Sequence, residues 1–199
     1  MLPPIILASG SAIRAEMLRK AGVAIEVKPA RVDEDAIRQA LDAEGATPRD
    51  LADTLAEMKA RKIAERLPDR IVLGCDQVLE CGGTVFSKPQ AAEAATEQLR
   101  LLRGKMHRLL SAAVLYHDGR PVWRHVGQVR LEMRSFSDAY LADYVARNWP
   151  GIGESVGAYK LEEEGVRLFQ RIEGDYFTIL GLPLIELLGY LGQRGWIET

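Results

Sequence analysis

The chain is predicted to fold as an α/β protein with a mixed, twisted sheet flanked by helices. Three observations point there. Short apolar runs alternate with helical periodicity through the first half. The segment Ile71-Val72-Leu73-Gly74-Cys75-Asp76-Gln77-Val78-Leu79 is apolar and β-branched enough to be a buried strand. Two long strand-like segments, Leu109 to Tyr116 and Val122 to Met133, are joined by the turn His117-Asp118-Gly119-Arg120, which adds a hairpin to the alternating pattern.

The elements follow in order. Ile5-Ile6-Leu7 is a strand that runs into the turn Ser9-Gly10-Ser11. A helix opens at once, with Met17, Leu18 and Ala21 expected inward and Glu16, Arg19 and Lys20 outward. Ala24 to Lys28 is a second strand, ended by Pro29. Asp33-Glu34-Asp35 opens a short helix that stops near Gly45. Thr47-Pro48-Arg49-Asp50 starts a longer one: Thr47 caps, Pro48 takes the first helical position and Asp50 completes a capping box. Leu51, Leu55, Met58, Ile63 and Leu67 mark its apolar face, and Pro68 ends it. After the buried strand, Gly82-Gly83 turns the chain into Thr84-Val85-Phe86. Glu93 to Leu102 is a helix closed by Gly104. Ser137-Asp138 caps a helix to Arg147, Gly151 to Gly157 form a loop, and Pro183 opens the last helix with Leu184, Leu187, Leu188 and Leu191.

Composition narrows the function classes. The 199 residues suit one domain, residues 1–199, or one domain with two lobes. A hydrophobic share of 47% with 27% charged residues is that of an ordinary globular protein. The net charge of -2 lacks the basic excess of a nucleic-acid surface, so no stable nucleic-acid binding is expected. No signal-peptide pattern and no apolar run of membrane-spanning length is seen, and the two cysteines are expected reduced, which points to the cytoplasm. Cys75 and Cys81 cannot close a four-ligand zinc site, and His107, His117 and His125 lack ligand spacing. Gly151, Gly153 and Gly157 follow a helix and Pro150 rather than a strand, which excludes a dinucleotide fingerprint.

Several residues carry chemistry. Strand, small-residue turn and helix N-terminus at Ser9-Gly10-Ser11 make an anion site, to which two hydroxyls and Arg14 add donors; the same residues also suit a capped helix with a surface Arg. Asp76, an acid inside an apolar strand, must be partnered. It is either a structural Asp bonded to backbone or Arg, or a metal ligand and general base. Asp33 or Glu34 would supply a second carboxylate, or simply enrich a helix N-terminus in acid. Hard oxygen ligands suit Mg²⁺ or Mn²⁺ carried by a polyphosphate. Lys59 reads as part of a solvated helix face, whereas Lys88-Pro89, after the returning strand, presents a phosphate-binding charge on a stiff backbone. His107 reads as an orienting residue, Cys75 and Cys81 as core or turn residues, and Trp149 and Tyr159 as either base-stacking or core.

Ala8-Ser9-Gly10-Ser11-x-x-Arg14, Asp33-Glu34, Lys59-Ala60, Gly74-Cys75-Asp76, Ser87-Lys88-Pro89, Gly104-x-x-His107, Gly157-Ala158-Tyr159 and Glu173-Gly174-Asp175-Tyr176 with Gly181-Leu182-Pro183 occur in this order along the chain. This constellation resembles the Maf family of nucleoside triphosphate pyrophosphatases, related in fold to inosine triphosphatases, from about Ile5 to Leu188. The resemblance implies two lobes around a central nucleotide cleft. By matched position it implies Ser9, Ser11 and Arg14 as triphosphate binders, Lys59 and Lys88 as phosphate ligands, Glu34 and Asp76 as metal-linked acids, and Asp76 as proton acceptor. Arg14 and Lys88 are then expected at the mouth of the cleft. The chain departs from the family's Ser-Pro-Arg-Arg at Ser11-Ala12-Ile13-Arg14, from its Ile-Gln-Gly at Leu161-Glu162-Glu163, and in the loop Trp149 to Ser155.

The implied reaction is hydrolysis between the α and β phosphates of a nucleoside triphosphate, with a divalent cation, in a homodimer that removes non-standard nucleotides and is linked to cell-division arrest. At the base-recognition positions Ile13, Gln77 and Glu162, the pyrimidine-preferring branch typically has Arg, Thr and Gln, and the 7-methyl-GTP branch Trp, Gln and Glu. The chain matches the second branch at Gln77 and Glu162. A dedicated 7-methyl-GTP pyrophosphatase is thus one alternative; a non-catalytic nucleotide- or nucleic-acid-binding septation regulator is another.

Overall fold

The computed structural model describes residues 3–198. The elements in chain order are β1 (Ile5–Leu7), α1 (Ala12–Lys20), β2 (Ile25–Val27), α2 (Glu34–Ala43), α3 (Pro48–Ala64), β3 (Val72–Cys81), β4 (Thr84–Phe86), α4 (Ala92–Leu102), β5 (Met106–His117), β6 (Arg120–Met133), α5 (Asp138–Asn148), β7 (Phe169–Glu173), α6 (Tyr176–Ile179) and α7 (Leu184–Gln193). Two 3₁₀ turns, Gly151–Glu154 and Glu164–Leu168, lie between α5 and β7. The strands form a seven-stranded sheet in the order β2-β1-β3-β5-β6-β7, with β4 paired to β3. β1 is parallel to both β2 and β3, while β3–β4 and β6–β7 are antiparallel, so the sheet is mixed as expected.

The chain divides into two compact units. The first comprises residues 1–77, 110–127 and 181–199, and the second residues 78–109 and 128–180. In the first unit, β1 and the start of β3 are buried along their whole length, and Leu51, Ala52, Leu55, Ala56, Ala60 and Ile63 of α3 line a buried stripe. The second unit has its own core, in which Leu79, Leu99, Leu102, Leu109, Leu131 and Tyr144 are fully buried. Among the described residues no helix is long and apolar enough to cross a membrane.

Several details differ from the sequence expectation. Ala21 is exposed, because α1 ends at Lys20 and Ala21 is its C-cap; Ala15 takes the inward place. Met58 is 41% exposed, and the neighbouring Lys59 sits in the buried stripe at 8%. α3 stops at Ala64, short of Leu67. The Thr47 capping box forms as expected: the Asp50 backbone N–H donates to Thr47 Oγ1 and the Thr47 backbone N–H to Asp50 Oδ2. The sequence pattern predicts neither β7 nor α6.

Candidate active site

The site begins with a close approach in the first unit. A β-carbon on Gly74 would lie 2.1 Å from the Ala56 carbonyl oxygen, 2.6 Å from the Ala60 backbone nitrogen and 2.8 Å from the Ala60 β-carbon. Only glycine lets α3 press this closely on β3, and the two alanines supply the matching small surface. Lys59 lies between those alanines in sequence. Its Nζ stands 2.6 Å from Asp76 Oδ1 on β3 and 2.7 Å from Glu34 Oε1 at the start of α2. The two carboxylates therefore share one ammonium, and Asp76 is only 6% exposed. The other oxygen, Asp76 Oδ2, is buried with no hydrogen-bond partner among the described residues. Asp33 is engaged otherwise: it caps α2, accepting from the Ala36 N–H at 3.0 Å.

The turn before α1 is knitted by Arg14. Ser11 caps the helix, its Oγ facing the Arg14 N–H at 3.5 Å. Ser9 Oγ accepts from the Ser11 N–H at 3.3 Å and from Arg14 Nη1 at 3.2 Å. Arg14 Nη1 also donates to the Cys75 carbonyl at 3.2 Å, and its Nε donates to the Gly181 carbonyl at 2.7 Å. At 9% exposure Arg14 is not at a surface mouth. Its planar fork spends donors on three protein acceptors, which ties the Ser9 turn, the strand residue preceding Asp76 and the loop before α7 into one piece. Gly181, at φ 97, faces the guanidinium so closely that a β-carbon would come 2.9 Å from Nη2.

Next along β3, Gln77 Nε2 donates to Ser111 Oγ of β5 at 3.0 Å. Six of the expected residues and Glu34 thus belong to the first unit, while Lys88 and Glu162, both exposed, belong to the second. His107 and Tyr159 form a buried pair in the second unit's core, Nε2 to OH 2.8 Å. Burial pushes the Tyr159 phenol well up and holds the His107 imidazole down to about 4, against weaker opposing pulls from Glu80 and the Lys105 backbone. Tyr159 is a core residue rather than a stacking platform. Burial also pushes the Cys75 thiol up to about 11, which leaves it an unreactive core group.

Sequence reasoning gives Ser111 no place in this arrangement, and it places Gly74 and Gly181 in the family's motifs without assigning either a role. A glycine inside a buried strand is a signal of close backbone approach, and a serine inside the apolar run Leu109 to Tyr116 is the same kind of signal as Asp76. Nothing local marks the Gly181 carbonyl as a partner 167 positions from Arg14.

A family model described as Maf-like protein matches residues 4–194 of the chain. The chain belongs to the Maf family. It is 63% identical over 98% of both chains to a protein of Ruegeria sp. (strain TM1040) named nucleoside triphosphate pyrophosphatase. Identity is 64%, over the same shares, to a Roseobacter denitrificans protein of that name. A Mesorhizobium japonicum protein named 7-methyl-GTP pyrophosphatase is 48% identical over the whole of both chains. In this Maf chain no group of three or more His, Cys, Asp or Glu among the described residues can hold a metal by itself. The donors that do fit one are Glu34 and the orphaned Oδ2 of Asp76. Two carboxylates suit an ion such as Mg²⁺, which keeps waters and takes its remaining ligands from substrate phosphates.

Proposed function

We propose that this Maf protein is a nucleoside triphosphate pyrophosphatase. It hydrolyses the α–β phosphoanhydride to a nucleoside monophosphate and pyrophosphate. The observation that carries the reading is the buried Asp76 carboxylate, with one oxygen fixed by Lys59 and the other unsatisfied. A buried acceptor without a donor is costly, and persists where a ligand or reacting group completes it. The names of full-length relatives support the same activity.

In this reading the Asp76 carboxylate accepts a proton from the attacking water as the water oxygen bonds to the α phosphorus. The bond to the bridging oxygen breaks and pyrophosphate leaves. Lys59 holds Oδ1 in the free protein and supplies charge for a phosphate; Lys88 is an exposed cation suited to the same chemistry. Ser9 and Ser11 line the turn at the N-terminus of α1, where backbone N–H groups favour an anion. Arg14 holds that turn against β3. Glu34 and Asp76 would hold Mg²⁺ or Mn²⁺, which when bound supplies charge neutralisation on the triphosphate. The family resemblance supports a cytoplasmic homodimer acting on non-standard nucleotides, with a link to cell-division arrest.

The test is pyrophosphate release from a nucleotide panel with Mg²⁺ or Mn²⁺ and with chelator added. Metal-dependent release of pyrophosphate is expected. Nucleotide binding without turnover would instead favour a non-catalytic septation regulator. A narrower reading, 7-methyl-GTP as the dedicated substrate, is favoured by Gln77 and Glu162 and by the name of the Mesorhizobium relative; the same panel decides it.

A further inference from the structure

We propose that the Lys59 ammonium occupies, in the free protein, the place between Glu34 and Asp76 that a divalent cation takes on loading. Lys59 is then displaced and turns to the triphosphate. The inference rests on the nucleotide reading above for the second half of that exchange, but not for the first.

Lys59 Nζ lies 2.6 Å and 2.7 Å from oxygens of two carboxylates that come from different elements, as a bridging cation would. The fit is incomplete, because Asp76 Oδ2 remains buried and unpartnered. An ammonium offers three donors and no more, whereas a hard cation gathers six or more oxygens and has use for that atom. Charge points the same way: a dication offers the two carboxylates twice the charge of an ammonium. A dication and an ammonium on the same two carboxylates repel each other, so one must leave. The backbone of Lys59 is held by the contacts of Ala56 and Ala60 with Gly74, but the four-carbon stem is flexible, so the charge moves while the helix does not.

The experiment titrates Mn²⁺ alone into nucleotide-free protein, with free Mn²⁺ read by electron paramagnetic resonance and circular dichroism confirming the fold. Lys59→Met is expected to bind Mn²⁺ at least about tenfold tighter than wild type, because the competing charge is gone. Lys62→Met makes the same change in net charge on the same helix; Lys62 caps the Arg31 carbonyl rather than an acid, so its affinity is expected to stay at the wild-type value. Lys59→Arg keeps a competing cation and stays near wild type, and Lys59→Met with Asp76→Asn loses the gain. Equal affinity in Lys59→Met and wild type, or an equal gain in Lys62→Met, would overturn the proposal. Should Lys59→Met not fold, the wild-type ¹⁵N side-chain resonance of Lys59 answers instead. It is expected to shift on Mg²⁺ saturation, and an unmoved resonance overturns the proposal. If tighter Mn²⁺ binding appears while wild type releases no pyrophosphate from any nucleotide, the exchange stands and the enzymatic reading fails; the reverse pattern sinks only the exchange.

Discussion

Gly74 and Ala56 meet so closely that a β-carbon on Gly74 would stand 2.1 Å from the Ala56 carbonyl oxygen, and this contact sets Lys59 beside Asp76. A glycine in a strand thus positions the Lys59–Asp76 ion pair without touching either side chain. Gly74→Ala forces backbone against backbone, which no rotamer relieves. Overpacking of this kind typically costs about 1–3 kcal/mol, and a chain of this size then melts roughly 2–4 °C lower per kcal/mol. Thermal unfolding and pyrophosphate release are both expected to fall. A variant that melts like wild type would show that α3 does not rest on this contact.

Asp76→Asn is expected to lower kcat by at least about 10²-fold, the low end of what a positioned base contributes. The amide still offers an oxygen to Lys59, so the variant should remain folded. Asp76→Ala leaves the Lys59 ammonium to Glu34 alone and empties the buried position, and is expected to lower stability more than Asp76→Asn does. Urea denaturation of the two variants, set beside their turnover, separates the chemical role from the structural one.

Arg14 and Lys88 are expected to part company. Arg14→Ala strands the Gly181 and Cys75 carbonyls, each served by the guanidinium at present. An unmade buried hydrogen bond costs about 1–3 kcal/mol, so a clear loss of stability is expected. Arg14→Lys should not restore it, since a point charge cannot serve three acceptors in a fork. Lys88 is exposed, and Lys88→Ala should change stability by less than about 0.5 kcal/mol while raising KM for the nucleotide. Equal stability losses in the two Ala variants would contradict this division.

How much of this was legible in the sequence follows from residue type against spacing. The Thr47 capping box is a local pattern and forms as expected, and the strand expected over Ile71–Leu79 forms as Val72–Cys81. Positions 52, 55, 56, 59, 60 and 63 share one helical stripe, so spacing alone places Lys59 inside while its residue type points to solvent; Met58, apolar but off phase, faces out. Arg14 was expected at a surface because nothing nearby in sequence names its acceptors, which lie 61 and 167 positions away. β7, Phe-Gln-Arg-Ile-Glu, alternates too weakly to signal a strand; its pairing with β6 decides it. Asp76 was readable because an acid in an apolar strand demands a partner, but not which partner.

Acid should weaken the second unit through His107. Its imidazole is 1% exposed and held to about 4, against 6.5 unperturbed. A histidine with a lowered folded pKa binds its proton more readily when unfolded. The stability it supports is complete above about pH 6.5 and is lost as pH falls toward 4. The difference corresponds to about 3 kcal/mol. Unfolding free energies measured from pH 7 to pH 4 should fall more steeply in wild type than in His107→Gln, which has no proton to take up. Parallel slopes would mean that His107 does not govern this range.

The last expectation concerns the base. Glu162 is exposed in the turn before the second 3₁₀ segment, and among the described residues the salt bridges there belong to its neighbours, Glu163 to Lys160 at 3.7 Å and Glu164 to Arg147 at 2.6 Å. Its carboxylate is an acceptor only. It suits the N1–H and exocyclic amine of guanine, and meets other acceptors at O2 and O4 of uracil. Gln77, half-buried and anchored to Ser111, stands at the second position where the family resemblance implies base recognition of the guanine type. Ile13 lacks the ring that would stack on a cationic methylated base, which favours guanine nucleotides in general over 7-methyl-GTP alone. Wild type is therefore expected to show higher kcat/KM for GTP and 7-methyl-GTP than for UTP and dTTP. Glu162→Gln, which gains a donor, should narrow that ratio through KM, with pyrophosphate release itself retained. A wild-type preference for UTP or dTTP, or a ratio unmoved by the substitution, would remove Glu162 from base recognition.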